Sequence, residues 1–276
     1  DESSQRRFLR EARAAARVSH PNLCPIFEVG ETEGRPFLAM ELLSGETLSA
    51  RLRRGPLAPP EALDLAEDLL SALGALHDAG VVHRDVKPSN LFLTPHGGKL
   101  VDFGLARELP GDVARSVGTT TDLTSPGLII GTPGYMAPEQ ILGQGVDARA
   151  DLFAAGIVLY EALTGRRPFP GDTAAAALSG ALYEDPPPLV GSPALLAFDA
   201  PIRRALAKRP GERYASAREM AEALRGAARV AEAASPGAPR EPFVGRQAEL
   251  AWLQERFAAA TAGAGGVVFV TGERGV

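Results

Sequence analysis

The chain has 276 residues, of which 45% are hydrophobic and 23% charged, enough for one large domain or two modest ones. The formal net charge is −5 with both signs interspersed, so composition indicates neither a nucleic-acid-binding surface nor a polybasic membrane patch. We see no signal-peptide pattern and no apolar run of about 18 residues, and we therefore expect no membrane partner.

The single cysteine, Cys24, excludes an intrachain disulfide. This fits a reducing compartment, and we expect a cytoplasmic location. Cys24 lies in an apolar, strand-like run, which favours a buried small hydrophobic residue over a reactive thiol. The chain begins at Asp1 and enters a helical pattern at once, so we expect it to be a piece of a longer protein.

Regular elements are predicted along most of the chain. The segment 3–18 is rich in strong helix formers and has a helical apolar face. Two strands, Ile26–Val29 and Pro36–Met40, are predicted on either side of a turn with a glycine at each end. Further predicted elements are a long amphipathic helix at Pro59–Ala79, a hairpin of Leu91–Leu93 with Lys99–Val101, and a nearly all-apolar helix at Asp147–Thr164.

The stretch Val82–Asn90, with Asp102 shortly after it, carries the chemistry. A carboxylate can orient an attacking hydroxyl and accept its proton, and Asp85 suits that role. Hard divalent cations prefer oxygen ligands, which Asn90 and Asp102 supply, and the loops beside the predicted hairpin would bring both to one metal site. Lys87 can place a positive charge beside a transferred phosphoryl group.

Three signatures occur in order: H-R-D-x-x-x-x-N at His83–Asn90, D-F-G at Asp102–Gly104 and A-P-E at Ala137–Glu139. Several fixed spacings must coincide, so chance is a poor explanation. On these motifs the chain resembles the eukaryotic-type protein kinases, and within them the bacterial Ser/Thr kinases, over roughly residues 3–226. The resemblance implies ATP and Mg²⁺ (or Mn²⁺) as cofactors, and proteins bearing Ser or Thr as substrates.

The resemblance assigns roles in the N-terminal segment. The predicted helix 3–18 matches the kinase helix αC, and Glu11 matches its glutamate, the partner of the ATP-binding lysine. His20-Pro21-Asn22-Leu23 matches the pattern that follows αC. The Gly-rich loop and that lysine should precede αC, yet the chain has no lysine before Lys87. We therefore expect a kinase domain without its first strands, inactive on its own.

The resemblance also implies a nucleotide site. Met40 would be the gatekeeper beside the adenine, and the backbone of Glu41-Leu42-Leu43 would form the hinge that binds the adenine edge. Leu48 and Phe92 would be apolar walls around the base, although ordinary core positions would also account for them.

Residues 105–136 are predicted to form the activation segment, a long loop of the kind that is usually functional. By resemblance, Thr132 bridges Asp85 and Lys87, which favours Ser/Thr over Tyr as the acceptor. A buried Arg84 needs an anionic partner, and a phosphothreonine could supply one. The candidates for that phosphorylation are Thr124 first, then Thr119, Thr120 and Thr121.

Other matched residues are expected to be structural. Asp151 would hold the backbone of the catalytic loop, although an acid at a helix N-terminus would also be satisfied there. Arg213 is expected to form an ion pair with Glu139. His83, Arg84 and Phe103 belong to the same group.

The C-terminal part changes character. Residues 227–240 are rich in Ala, Ser, Pro and Gly and are predicted to be a linker. Phe243–Leu250, a helical pattern to about Ala262, a strand Val267–Val270 and then Gly272 resemble the start of the P-loop domain of AAA-type and STAND-type ATPases. The alternative is a glycine-rich tail.

We therefore predict an α+β, protein-kinase-like fold at 1–226, with a mostly helical C-lobe and a partial β-rich N-lobe, followed at 241–276 by a fragment of an α/β P-loop NTPase domain. The predicted function is a Ser/Thr protein kinase in bacterial signalling, in regulatory contact with the ATPase domain. Two alternatives are a pseudokinase scaffold, against which intact Asp85, Asn90 and Asp102 argue, and an input module of a signalling ATPase or transcription regulator.

Overall fold

The structure is a computed structural model, and it describes residues 16–32, 35–101 and 133–234, together with Trp252 and Arg256. The chain divides into two units, Asp1–Ala234 and Ser235–Val276. The elements described below belong to the first unit. Among them, no helix combines the length and the apolar character needed to span a membrane.

Two small antiparallel sheets lie in the N-terminal part. Strands β1 (Ile26–Thr32) and β2 (Arg35–Met40) form a hairpin. Strands β3 (Glu46–Thr47), β4 (Leu91–Thr94) and β5 (Gly97–Leu100) form the second sheet in the order β3-β4-β5. Both hairpins predicted from the sequence are confirmed.

The first hairpin is longer than predicted, because pairing continues to Thr32 opposite Arg35. The sequence pattern places Gly30 in the turn, but it lies within β1 opposite Phe37. A Cβ at Gly30 would approach Phe37 Cζ to 2.5 Å, so this glycine makes room for the ring within the ladder.

The rest of the first unit is mainly helical. The helices of the described residues are α1 (Leu48–Leu52), α2 (Pro59–Asp78), α3 (Pro138–Ile141), α4 (Ala148–Thr164), α5 (Ala174–Tyr183), α6 (Pro193–Leu196), α7 (Asp199–Ala205) and α8 (Ala217–Ala234). Short 3₁₀ turns occur at Pro88–Asn90, Pro133–Tyr135 and Pro210–Glu212.

Helix α2 confirms the amphipathic helix predicted at 59–79. Proline suits its first turn, where backbone N–H groups have no helical partner, and the Glu61 side chain accepts a hydrogen bond from Ala58 N at 3.1 Å. The helix ends before Gly80, whose φ of 73° is a left-handed conformation that favours glycine. Its buried face packs against β5, α4 and α8.

Helix α4 is the centre of the core. Asp147 caps its N-terminus by accepting a hydrogen bond from Arg149 N at 2.8 Å, and Gly165 ends it with a φ of 72°. Most of its side chains are buried on every side, which explains why its sequence shows no polar face. A Cβ at Gly156 would approach Ala205 Cβ to 3.0 Å, so this glycine allows α7 to pack closely.

Two predicted boundaries are wrong. Residues 16–18, the only part of the predicted helix 3–18 that the structure describes, are not helical, and the chain leads instead into a turn in which Leu23 N donates to His20 O at 3.1 Å. The linker predicted at 227–240 does not begin at residue 227, because α8 continues to Ala234. The alanine-rich stretch 227–234 has high helix propensity, and this outweighs its likeness to a linker.

Candidate active site

The stretch Val82–Asn90, which we call the catalytic loop after its predicted role, lies between α2 and β4 and brings three of the predicted residues together. Lys87 Nζ lies 2.7 Å from Asp85 Oδ2, and both side chains are largely buried. Asn90 donates hydrogen bonds from Nδ2 to Asp85 Oδ2 at 3.1 Å and to Asp85 O at 2.9 Å. Asp85 is therefore held between a cation and an amide, an arrangement that fixes the orientation of its carboxylate.

Asn90 also suits the predicted metal ligation. Its Nδ2 is taken by Asp85, which leaves Oδ1 as the oxygen that this side chain can offer to a hard cation. Val101 N donates to Asn90 O at 2.9 Å, so the last described residue before the D-F-G signature is hydrogen-bonded to Asn90. The donor set of Asn90 and Asp102 thus fits Mg²⁺, although Asp102 lies outside the described residues. Within those residues no cluster of three His, Cys, Asp or Glu side chains could hold a metal.

The backbone of the loop is held by Asp151 from α4. Its Oδ1 accepts a hydrogen bond from Arg84 N at 2.7 Å and its Oδ2 accepts one from His83 N at 2.8 Å. Arg84 has a φ of 64°, the only positive φ of a non-glycine residue in the described ranges. Such a conformation costs roughly 1–3 kcal/mol and persists where neighbouring contacts impose it, which here are those of Asp151.

Two further residues hold the loop and were not predicted from the sequence. His77, in the last turn of α2, lies with Nε2 2.8 Å from Asp151 Oδ2. Gln140, in α3, donates from Nε2 to Arg84 O at 3.1 Å and accepts from Ala137 N at 2.9 Å. A polar residue on the apolar face of α2 was a usable signal for His77, whereas Gln140 follows the A-P-E signature and could have been considered with it.

Glu139 and Arg213 form the ion pair that the sequence assigned. Arg213 NH1 lies 2.7 Å from Glu139 Oε1 and NH2 lies 2.8 Å from Oε2, with both side chains buried. The guanidinium also donates to the carbonyls of Ala207, Arg149 and Lys208. This arrangement ties α3 to the segment before α8.

The residues assigned to the nucleotide differ in accessibility. Met40 is exposed at the end of β2, and Phe92 is half-buried on β4. Leu48 is 0% exposed and belongs to the core, so it cannot be a wall of an open nucleotide site, and this prediction is wrong. An apolar residue at the start of a helix can face either a ligand or the core. The sequence alone did not show that Leu48 faces the core.

At the predicted hinge, Glu41 N donates to Pro25 O at 3.0 Å, so this N–H group is already engaged within the protein. The Glu41 carboxylate lies 2.8 Å from Lys99 Nζ, and Leu43 is half-buried beside it. Cys24 Sγ contacts Glu41 O at 3.7 Å, and burial raises the pKa of the Cys24 thiol. The cysteine is thus a buried neighbour of the hinge.

A small cavity of about 190 Å³ opens beside the catalytic loop. Lys87, Pro88 and Ser89 form one side, and Tyr135 and Glu161 form another. The Tyr135 hydroxyl donates to Glu161 Oε2 at 2.5 Å, and burial, reinforced by this hydrogen bond, raises the pKa of Tyr135 far above its ordinary value. The cavity therefore offers a neutral phenol and a carboxylate next to Lys87.

The remaining predicted site residues lie outside the described ranges. They are Glu11, Asp102, Phe103, Thr132 and the phosphorylation candidates Thr119, Thr120, Thr121 and Thr124. Their roles stay predictions.

The profile of the protein kinase domain family matches residues 1–186, and the chain belongs to this family. Among curated proteins, the chain is 43% identical over 225 residues to the serine/threonine-protein kinase Pkn1 of Myxococcus xanthus, covering 79% of this chain and 31% of that protein. It is 40% identical over 248 residues to PknB of Mycolicibacterium smegmatis, covering 87% and 38%. The chain thus spans about a third of the length of these relatives.

Solved structures give the same fold. The crystal structure of the Mycobacterium tuberculosis PknI kinase domain matches with a TM-score of 0.61 at 28% identity, covering 82% of this chain and 80% of that one. The predicted protein-kinase fold is therefore confirmed for the first unit.

Proposed function

We propose that the protein containing this chain transfers the γ-phosphoryl group of ATP to Ser and Thr hydroxyls of other proteins, as part of bacterial signalling. The observation that carries the proposal is the convergence of Lys87 and Asn90 on Asp85, at 2.7 and 3.1 Å from its Oδ2. A scaffold without catalysis has no need for this arrangement. The names of the curated relatives, which are serine/threonine-protein kinases, support the same reaction.

Each residue has a defined task in this proposal. The Asp85 carboxylate orients the substrate hydroxyl and accepts its proton as the oxygen attacks the γ-phosphorus and the bond to the β-phosphate oxygen breaks. Lys87 balances negative charge on the transferred group from its position beside Asp85. Asn90 and Asp102 would hold Mg²⁺, which neutralises phosphate charge when bound. Catalysis of this kind depends mainly on positioning and electrostatics.

The group that accepts the phosphoryl is proposed to be the aliphatic hydroxyl of Ser or Thr and not the phenol of Tyr. The cavity beside Lys87 has a volume of about 190 Å³, room for one acceptor side chain next to the catalytic loop, and the serine/threonine-protein kinases among the relatives support the preference for Ser and Thr. Thr132, if it bridges Asp85 and Lys87 as proposed, would reinforce this preference. Phosphoamino-acid analysis of the product tests it, with phosphoserine and phosphothreonine expected and phosphotyrosine as the result against it.

The activity itself is tested with Asp85→Asn in the whole protein that contains this chain. Removal of the carboxylate that accepts the proton should lower kcat by about 100-fold or more, the range that general-base catalysis contributes. Glu222→Gln is the matched control, since it makes the same chemical change in an exposed pair on α8. Transfer from radiolabelled ATP that is equal in the wild type and Asp85→Asn would refute the proposed mechanism.

We also propose that residues 241–276 belong to a P-loop NTPase domain that contacts the kinase domain. The support is the F-V-G-R-x-x-E-L segment at Phe243–Leu250 and the strand-then-glycine pattern ending at Gly272. Reading the gene beyond Val276 tests this. A Gly-Lys-Ser or Gly-Lys-Thr is expected, and a continuation without that lysine would leave the proposal without support.

A further inference from the structure

Most of the basic residues of the chain are arginines. Of 29 Lys and Arg residues, three are lysines: Lys87, Lys99 and Lys208. Lys87 is 2.7 Å from Asp85 and Lys99 is 2.8 Å from Glu41, so each has a carboxylate partner. Lys208 forms no ion pair with a carboxylate of the residues that the structure describes. This lysine therefore needs a separate explanation.

The surroundings of Lys208 are neutral and partly apolar. Its Nζ donates to Ala181 O at 2.9 Å and to Gly180 O at 3.2 Å, both in the last turns of α5. It also lies 3.9 Å from the centre of the Phe169 ring. Carbonyls at a helix C-terminus and an aromatic face both attract a cation, but neither compensates as fully as a carboxylate for the water that is lost.

Burial consequently lowers the pKa of Lys208 to about 8. Asp185 and Glu184, just after α5, oppose this shift, whereas Arg213 adds to it. A lysine with such a pKa carries a free amine lone pair on a substantial fraction of molecules near neutral pH. The Lys208 amine is therefore in equilibrium between a protonated form, whose charge the α5 carbonyls attract, and a neutral form, which burial favours and which is a nucleophile.

Lys208 also lines a surface pocket of about 250 Å³. Leu142, Leu182 and Tyr183 give this pocket apolar walls, and Arg209 lies at its edge. Arg209 is strongly exposed, and its contact with Glu212 is long at 3.7 Å, so its guanidinium can turn to an anion. The pocket thus combines an amine, an apolar surface and a cation suited to phosphate.

We propose that Lys208 is an acylation site that takes its acyl group from small acyl phosphates. The Nζ lone pair attacks the carbonyl carbon, the carbon–oxygen bond to the phosphoryl group breaks, and inorganic phosphate leaves. The amine loses a proton to the departing phosphate or to water, so an amide and phosphate are the products and no redox partner is required. Arg209 binds the phosphoryl group of the donor.

Acylation removes the charge that caps α5. The amide retains one N–H, so the carbonyls of Gly180 and Ala181 lose a donor as well as a cation. Helix α5 packs against the Pro133–Tyr135 turn, which borders the cavity beside the catalytic loop. Acylation therefore weakens the packing of α5 against this turn, next to the proposed acceptor site. It does not change the contacts of Asp85.

The test is site-resolved mass spectrometry of the folded chain after exposure to acetyl phosphate at pH 7, 8 and 9. The other two lysines are internal controls. Acetylation of Lys208 should exceed that of Lys87 and Lys99 several-fold at pH 8, because each of those two amines is held in an ion pair with a carboxylate. Its rate should level off above about pH 8–9, because burial lowers the Lys208 pKa to about 8. A Lys208 rate at or below that of Lys99 would overturn the proposal.

Variants separate the parts of the proposal. Arg209→Gln should lower Lys208 acetylation by acetyl phosphate several-fold but leave acetylation by the uncharged donor N-acetylimidazole unchanged, and equal effects on both donors would refute donor binding by Arg209. Lys208→Gln, which mimics the acylated residue, should melt roughly 2–6 °C below Lys208→Arg, which keeps the charge. Equal melting temperatures would refute the capping role of the charge.

Discussion

Replacement of Asp151 by asparagine is a sharp test of how the catalytic loop is held. The Asp151 side chain is 1% exposed and accepts hydrogen bonds from two consecutive backbone N–H groups, those of His83 and Arg84, at 2.8 and 2.7 Å. His77 Nε2 lies 2.8 Å from the same carboxylate. Asp151→Asn keeps the shape of the side chain but converts one acceptor oxygen into an NH₂ group.

The cost can be estimated from these contacts. The amide oxygen of the new asparagine can accept a hydrogen bond from only one of the two backbone N–H groups. The other N–H then faces the side-chain NH₂, which is itself a donor. A hydrogen bond to a charged group contributes about 1.5–3 kcal/mol, and a buried donor without an acceptor costs about 1–3 kcal/mol. We therefore expect the free energy of unfolding to fall by about 2–5 kcal/mol, which for a domain of this size lowers Tm by roughly 4–20 °C.

The activity should fall as well, in the whole protein and at a temperature where the variant remains folded. Loss of one anchor lets the backbone at Arg84 relax from its φ of 64°, and Asp85 follows it in sequence. A displacement of about 1 Å at a catalytic group can cost about 100-fold, so kcat should fall by up to that factor while KM for ATP changes little.

Asp147→Asn is the matched control, because it makes the same substitution four residues earlier on the same helix. Asp147 caps α4 through Arg149 N at 2.8 Å, and asparagine caps a helix about as well as aspartate. Urea unfolding and phosphoryl-transfer rates should therefore separate the two variants clearly. Equal unfolding free energies and equal kcat values for Asp151→Asn and Asp147→Asn would refute the assigned role of Asp151.

Two further predictions concern buried groups. Glu139→Gln leaves Arg213 buried without its counter-charge, so the unfolding free energy measured in urea should fall by about 3 kcal/mol, the lower end of the range for such pairs because three carbonyls still bind the guanidinium. The exposed Glu222→Gln control should not change it, and equal values would contradict the reasoning. Tyr135 stays protonated in alkaline solution because burial and Glu161 raise its pKa. Tyr135→Phe should therefore leave the tyrosinate absorbance of the folded protein at about pH 11 unchanged, and a loss of one tyrosine's signal would contradict this.

Much of the first unit could be predicted because its elements have strong patterns. Helix α2 has an amphipathic stripe with clear start and stop residues, and α4 is apolar throughout, so both were assigned within a residue or two. The end of α8 was missed because an alanine-rich sequence is compatible with both helix and linker until packing decides. The burial of Ala231 shows that packing extends through this stretch.

The residues of the candidate site also divide into those that the sequence predicted and those that it missed. Asp85, Lys87 and Asn90 were found because a motif fixes their types and spacings together. His77 was missed because it is distant in sequence from the residue that it contacts, and no local spacing records that contact. Leu48 was misassigned because an apolar side chain carries no mark of whether it faces a ligand or the core. Motif spacing therefore predicted the candidate catalytic residues together with Asp151 and the Glu139–Arg213 pair, whereas residues outside any motif, such as His77, were missed.

The backbone conformation of Arg84 explains why the catalytic loop needs support from other parts of the chain. A non-glycine residue at a φ of 64° would not stay there without restraint, and Arg84 is restrained at both ends of its backbone, at N by Asp151 and at O by Gln140. Asp151 is part of α4, the most deeply buried helix, whereas Gln140 belongs to α3, which the Glu139–Arg213 pair fixes to the segment before α8. The position of Asp85 is therefore set by two separate parts of the helical core, and substitutions in either part should act on kcat through the Arg84 backbone.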